Sequence, residues 1–149
     1  MPPKLLNDEI SEQIKNLFDA HLVNPVELIY FSKKVDCDVC EATQQLLSEL
    51  VSISDKLSLS EKTLEDNQEL AQKYQVSLAP SLIVAGWKND ERVDFGIRFI
   101  GIPSGYEFSS LIQAIRMVSL HDSGLNPASR NELAQITAPV HLQVFVTPT

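Results

Sequence analysis

The sequence predicts an α/β domain in which a mixed central sheet is flanked by helices, with one extra helix at its N-terminal end. Three observations carry this. Segments of helical and strand periodicity alternate between residues 8 and 119. The first two strand-like segments are separated by a helix, as in a parallel pair, and the last two only by a turn, as in an antiparallel hairpin. The composition, 44% apolar and 21% charged over 149 residues, is that of an ordinary globular chain able to bury a core without staples.

Asn7 and Asp8 are capping residues, and Ile10, Ile14, Leu17, Phe18 and Leu22 follow at helical spacing, so residues 8–22 form an amphipathic helix. Asn24-Pro25 breaks it, and Val26-Glu27-Leu28-Ile29-Tyr30-Phe31 is rich in β-branched and aromatic residues, as a buried strand requires. From Val39 the period returns to three and four residues through Ala42, Leu46, Leu50 and Ile53, a helix running to about Ser54. Residues 57–64 alternate weakly and read as a second strand. Asp66-x-x-Glu69 reads as a capping box for a short helix carrying Leu70, Ala71 and Tyr74. Ala79-Pro80 leads directly into a strand over 81–85; the first position of a strand is where a missing N–H costs least. Lys88-Asn89-Asp90-Glu91 is the turn to a hairpin partner over 92–100. Ser104-x-x-Glu107 reads as a second capping box, and Phe108, Leu111, Ile112, Ile115 and Val118 form the apolar face of a helix ending near Ser119.

Residues 123–149 repeat the opening. A shift of 114 positions lays Ala134, Ile136, Pro139, Val140, Leu142 and Phe145 on Ala20, Leu22, Pro25, Val26, Leu28 and Phe31, and Asn126-Pro127 starts the helix before them. The expected division is a complete unit over 1–122 and, over 123–149, the helix and first strand of a truncated second unit. The rival is two unrelated helix-strand segments that share a common pattern. Val140, Leu142, Val144 and Val146 would give the final strand one apolar face, so docking on its own unit, dimer formation or disorder is expected of it.

Charge and termini exclude several classes. Twelve Lys and Arg against twenty Asp and Glu give a formal charge of -8, which repels nucleic acid and anionic membrane surfaces. No apolar run approaches the roughly 18 residues of a membrane span. The segment Met1-Pro2-Pro3-Lys4-Leu5-Leu6-Asn7-Asp8-Glu9 lacks the apolar core of a secretory signal, so a cytoplasmic location is expected.

The two cysteines, Cys37 and Cys40, stand where a strand feeds a helix. A bridge between them closes a four-residue loop, worth only about 2 kcal/mol as a staple by chain entropy. A Cys-x-x-Cys pair in a cytosolic chain points to redox chemistry or to metal. Zinc takes four ligands, and His21, His121 and His141 are not at motif spacing, so a metal site would need a second chain. A pair of buried core cysteines is the remaining reading.

Cys37-Asp38-Val39-Cys40 after a strand, Leu70-Ala71-Gln72-Lys73-Tyr74, Ala79-Pro80 before a strand, and Gly101-Ile102-Pro103-Ser104-Gly105-Tyr106-Glu107-Phe108 together resemble the thioredoxin/glutaredoxin superfamily. Within it, residues 1–122 resemble the N-terminal unit of the two-unit, glutaredoxin-like protein disulfide oxidoreductases. Val144-Phe145-Val146-Thr147-Pro148-Thr149 looks like the strand that runs into the second cysteine motif of that family. A weaker similarity is to the two-unit N-terminal domain of the flavoprotein subunit of alkyl hydroperoxide reductase.

The resemblance implies a thioredoxin-like fold and an enzyme that exchanges disulfides. A helix N-terminus lowers a thiol's pKa, so Cys37 is the expected nucleophile and Cys40, deeper in the helix and more buried, the resolving thiol. Ala79 and Pro80 resemble the cis-proline element that faces the cysteines and binds an extended substrate. The implied partners are protein disulfides and dithiols, with a thioredoxin reductase or glutathione to regenerate the pair. Asp36, Asp38 and Glu41 oppose thiolate formation, whereas Lys33 and Lys34 favour it. The tryptophan usual before the first cysteine is replaced by Asp36. Trp87, Tyr106 and Phe108 read as hairpin and core packing, and His121 as an interaction with the last carbonyls of its helix. Gly96, Gly101 and Gly105 read as turn positions; no Gly-x-Gly-x-x-Gly marks a nucleotide site, and no cofactor is expected. The competing function is a non-catalytic unit that docks a catalytic second unit or a partner protein.

Overall fold

The computed structural model describes residues 2–147. Its elements are α1 (Asp8–His21), β1 (Val26–Ser32), α2 (Cys40–Val51), β2 (Leu57–Thr63), α3 (Gln68–Lys73), β3 (Ser81–Lys88), β4 (Glu91–Ile100), α4 (Tyr106–Leu120) and α5 (Pro127–Ala134). The four strands form one sheet in the order β2-β1-β3-β4. β1 runs parallel to β2 and antiparallel to β3, and β3 pairs antiparallel with β4, so the sheet is mixed as expected.

Strand alternation builds two cores. Val26, Leu28 and Tyr30 of β1, with Leu82 and Val84 of β3, face one side and are covered by Phe18 of α1, Leu47 and Leu50 of α2, and Leu111 and Ile115 of α4. Ile29, Phe31, Ile83 and Ala85 face the other side and meet Ala71 and Tyr74 at α3. Helices thus lie on both faces, and β1, paired on both edges, is buried on both. The hairpin turn is Asn89-Asp90, both left-handed with φ of 52° and 63°, the turn type whose twist matches paired strands. Gly96, Gly101 and Gly105 all have positive φ, as their turn assignment predicts; Gly96 lies where the β3/β4 register shifts.

The local predictions hold where one residue pair decides them. Asn7 Oδ1 accepts the N–H of Ile10 at 2.8 Å, and Asn126 Oδ1 that of Ser129 at 2.8 Å, with Pro127 in the first turn. The two capping boxes do not form, and for one shared reason: the N-cap falls a residue later. Asn67 caps α3 and Gly105 caps α4, neither with a side-chain bond, so Glu69 and Glu107 stand one position too early. Asp66 is instead bound by Thr63 Oγ1 at 2.9 Å and by Lys34 Nζ at 2.6 Å.

Four other expectations change. α2 begins at Cys40 and ends at Val51, with Val39 as N-cap. Tyr106 is 78% exposed and packs in no core, because it opens α4 on its outer side. His121 closes α4 through its main chain, adopting the left-handed conformation and donating its N–H to the Val118 carbonyl at 3.2 Å, while its ring lies against Phe95. Residues 135–147 form no strand and are exposed throughout. The reason is pairing: β1 is held between β2 and β3, whereas its sequence echo at 140–146 pairs with no strand among the described residues. Pro148 and Thr149, the end of the expected strand, lie outside the described residues.

Candidate active site

Register brings the candidate residues to one end of the sheet. Phe31 near the end of β1 opposes Ser81 at the start of β3, and Ser81 in turn opposes Ile100 at the end of β4. The cysteine loop leaving β1, Ala79-Pro80 entering β3 and Gly101 leaving β4 therefore share this end. The Ala79-Pro80 bond is cis, and the Pro80 carbonyl accepts the N–H of Gly101 at 2.9 Å. Pro80 is buried and Ala79 half-buried.

Cys37 and Cys40 are joined in a disulfide with Cα atoms 5.4 Å apart. Cys37 is half-buried and lies outside the helix, following Asp36, whose φ is 55°. Cys40 is the first residue of α2 and is buried, so the two sulfurs differ in access in the expected order. Val39 is a poor N-cap and makes no side-chain capping bond. No side-chain carboxylate or hydroxyl therefore competes for the donors of the first turn, which stabilise negative charge near the helix start. Thr43, itself buried, ties that turn to the Val39 carbonyl through its N–H at 2.9 Å and its hydroxyl at 2.7 Å.

The charges around the pair sort unevenly. Asp36, Asp38 and Glu41 are exposed and join no ion pair among the described residues. Lys34, read from sequence as favouring a thiolate, is instead engaged with Asp66. The hydrogen bond from Lys34 and a second from Thr63 hold the Asp66 carboxyl below its ordinary range, and the same contact with Asp66 holds the Lys34 ammonium above its own. The lysine thus anchors the cysteine loop to the segment after β2, as does the bond from the Lys34 N–H to Glu65 Oε1 at 3.2 Å.

Sequence reasoning missed Tyr30 as part of this site. Its hydroxyl donates to the Cys40 carbonyl at 2.8 Å from the face of β1 that α2 covers. Burial pushes its phenol up to about 12, with the nearby Glu61 charge adding. The available signal was parity: Tyr30 continues the Val26, Leu28 face and is the one member of that run with a hydroxyl.

Exposed apolar side chains sit at this end of the sheet: Val35 and Val39 beside the cysteines, Leu78 before the cis bond, Ile100 and Tyr106 beyond β4. Among the described residues no group of three or more His, Cys, Asp and Glu could hold a metal, and no helix is long and apolar enough to cross a membrane.

No family model matches the chain. It is 28% identical over 145 residues, 97% of its length, to the alkyl hydroperoxide reductase AhpF of Staphylococcus aureus (strain NCTC 8325 / PS 47), and 26% identical over 145 residues to AhpF of Staphylococcus epidermidis. The chain spans about a quarter of the length of these curated relatives. Among solved structures it is similar to a protein disulfide oxidoreductase from Aeropyrum pernix K1, with a TM-score of 0.79 and 26% identity over 96% of this chain and 60% of that one. It is similar also to the N-terminal domain of the alkyl hydroperoxide reductase AhpF from Enterococcus faecalis, with a TM-score of 0.74 and 26% identity over 86% of this chain and 60% of that one. The chain is homologous to both kinds of protein and has a thioredoxin-superfamily fold.

Proposed function

We propose that this chain is a thiol-disulfide oxidoreductase unit in which Cys37 attacks and Cys40 resolves. The observation that carries the reading is the Cys37–Cys40 disulfide at a strand-to-helix junction, with the half-accessible sulfur outside the helix and the buried one inside it. In the reducing direction the Cys37 thiolate attacks a substrate disulfide, forming one S–S bond and releasing one substrate thiolate. The Cys40 thiolate then attacks Cys37 Sγ, closes the intramolecular disulfide and expels the second substrate sulfur. Two electrons pass to the substrate, and a thioredoxin reductase, or glutathione, returns them.

Ala79 and Pro80 bind the substrate. Ala79 is half-buried beside the register position of the cysteine loop, and its own N–H and C=O are paired with no other group among the described residues, so an extended peptide can take them. Val35, Val39, Leu78, Ile100 and Tyr106 supply the apolar rim that a protein substrate, rather than a small thiol, would cover. The setting is cytoplasmic, where such a pair cycles. We further read residues 1–122 as the redox unit and residues 123–149 as the helix and leading segment of a second one.

The test is a redox titration of the pair by thiol trapping against glutathione or dithiothreitol. A reversible two-electron transition between about -120 and -270 mV, lost in Cys37→Ser, is expected. A potential below about -300 mV, or thiols that never bridge, overturns the reading. The second reading, a docking unit with sluggish cysteines, is favoured by the unpaired Asp36, Asp38 and Glu41 around the pair and is what that outcome would leave.

A further inference from the structure

We propose that Tyr30 is a positioning residue for disulfide exchange: its hydroxyl pins the Cys40 peptide to the sheet and so sets how readily Cys40 closes onto Cys37. The inference rests on the exchange reading above and goes beyond it by assigning a role to a residue outside the cysteine motif and the proline loop.

Two facts of geometry carry it. First, the bond joins the one buried cysteine to the most constrained strand: Tyr30 is 2% exposed on β1, which is paired on both edges, and its hydroxyl meets the Cys40 carbonyl at 2.8 Å. Secondly, the two cysteines are held unequally. Cys40 belongs to α2 and is tied to the sheet, whereas Cys37 lies outside the helix after the exposed residues 33–36. Ring closure therefore brings Cys37, with substrate attached, to a fixed Cys40. In that step the Cys40 thiol loses its proton to solvent, its sulfur bonds to Cys37 Sγ, and the Cys37–substrate bond breaks to release the substrate thiolate. Fixing one reactant raises the effective concentration of an intramolecular attack. Tyr30 does not take the proton, since its phenol, pushed up by burial, stays protonated at neutral pH and acts only as a donor.

The test is Tyr30→Phe in the full chain, which removes the hydroxyl and keeps the ring in the core. The equilibrium constant for forming the Cys37–Cys40 disulfide against glutathione should fall about three- to tenfold, the worth of one net hydrogen bond. The rate of Cys37 alkylation in a Cys40→Ser background should stay within about twofold, because that step does not use Cys40. A wild type that cycles and a Y30F variant with an unchanged constant overturns the inference and leaves the exchange reading standing. A wild type that never forms the bridge overturns both. If Y30F does not fold, infrared spectroscopy of wild-type protein carrying a 13C label at the Cys40 carbonyl decides: the hydrogen-bonded shift in both the dithiol and disulfide forms supports the inference, and its absence from the dithiol form overturns it.

Discussion

The Pro80 carbonyl accepts the Gly101 N–H at 2.9 Å, joining the entry of β3 to the exit of β4 at the end of the sheet that carries the cysteines. Gly101 has a φ of +94°, and a Cβ added there would meet no atom within 4 Å. A substitution with alanine is therefore a test of backbone conformation alone. We expect Gly101→Ala to cost about 1–2 kcal/mol in urea unfolding with an unchanged slope, the penalty of placing an L side chain in the left-handed half of the map. No loss would mean that the loop relaxes without its glycine.

Asp94 gives the chain an acid-sensitive element. The Arg98 guanidinium binds both carboxylate oxygens, at 2.8 and 2.6 Å, and this contact holds the carboxyl below its ordinary value of 3.8; burial opposes the shift, and the Gly96 N–H adds to it. The folded state thus binds this proton less readily than the unfolded chain. Its contribution to stability is present above about pH 4 and fades as pH falls further, toward the folded-state pKa. Asp94→Asn should lose less stability between about pH 7 and pH 3 than the wild type in parallel denaturation curves. Equal losses would show that solvent screening has removed the effect of the pair.

Ser119 locks α4 to the turn before β1. Its hydroxyl accepts the N–H groups of Val23 and Asn24 at 2.9 and 3.1 Å and donates to the Asn24 carbonyl at 2.7 Å, in a fully buried position. Alanine would fit the space but leave these groups short of partners. We expect Ser119→Ala to destabilise by about 1–3 kcal/mol, read as a lower urea midpoint, with the potential of the Cys37–Cys40 pair unmoved.

What was legible in the sequence and what was not divide by range. Strands and helices were readable because their signal is periodic: Val26 to Phe31 and the Leu111, Ile115, Val118 face lie where burial places them. Asn7 and Asn126 were readable as caps because each bond closes within three residues. The cysteine motif and the proline were legible because each is local. The Ser104 and Asp66 boxes misled because the same pattern fits two cap positions one residue apart, and Gly105 and the Thr63–Asp66 contact decide between them. Tyr30 was hidden because its role appears only when α2 is laid on β1. Lys34 was misassigned for the same reason, its partner Asp66 lying 32 residues away. The apolar alternation at 140–146 was read correctly as pattern, yet a strand also needs a neighbour.

Glu27 and Arg92, 65 residues apart, form the least exposed ion pair of the described residues that links separate strands. Arg92 binds both carboxylate oxygens, at 2.7 and 2.9 Å, reaches the Tyr74 hydroxyl at 3.4 Å, and lies 5.5 Å from the centre of the Trp87 ring. The two ends differ: the Glu27 side chain is 8% exposed and that of Arg92 36%. Removing the arginine alone would leave a buried carboxylate without its partner, so Arg92→Met should cost about 2 kcal/mol, toward the low side for buried pairs because water reaches this arginine. Glu27→Gln should cost less, since the guanidinium left behind can be solvated. The double variant, with no buried charge to strand, should be more stable than Arg92→Met alone. A double-mutant cycle by urea denaturation measures this, and a double variant as unstable as the sum of the singles would show that the two side chains act independently.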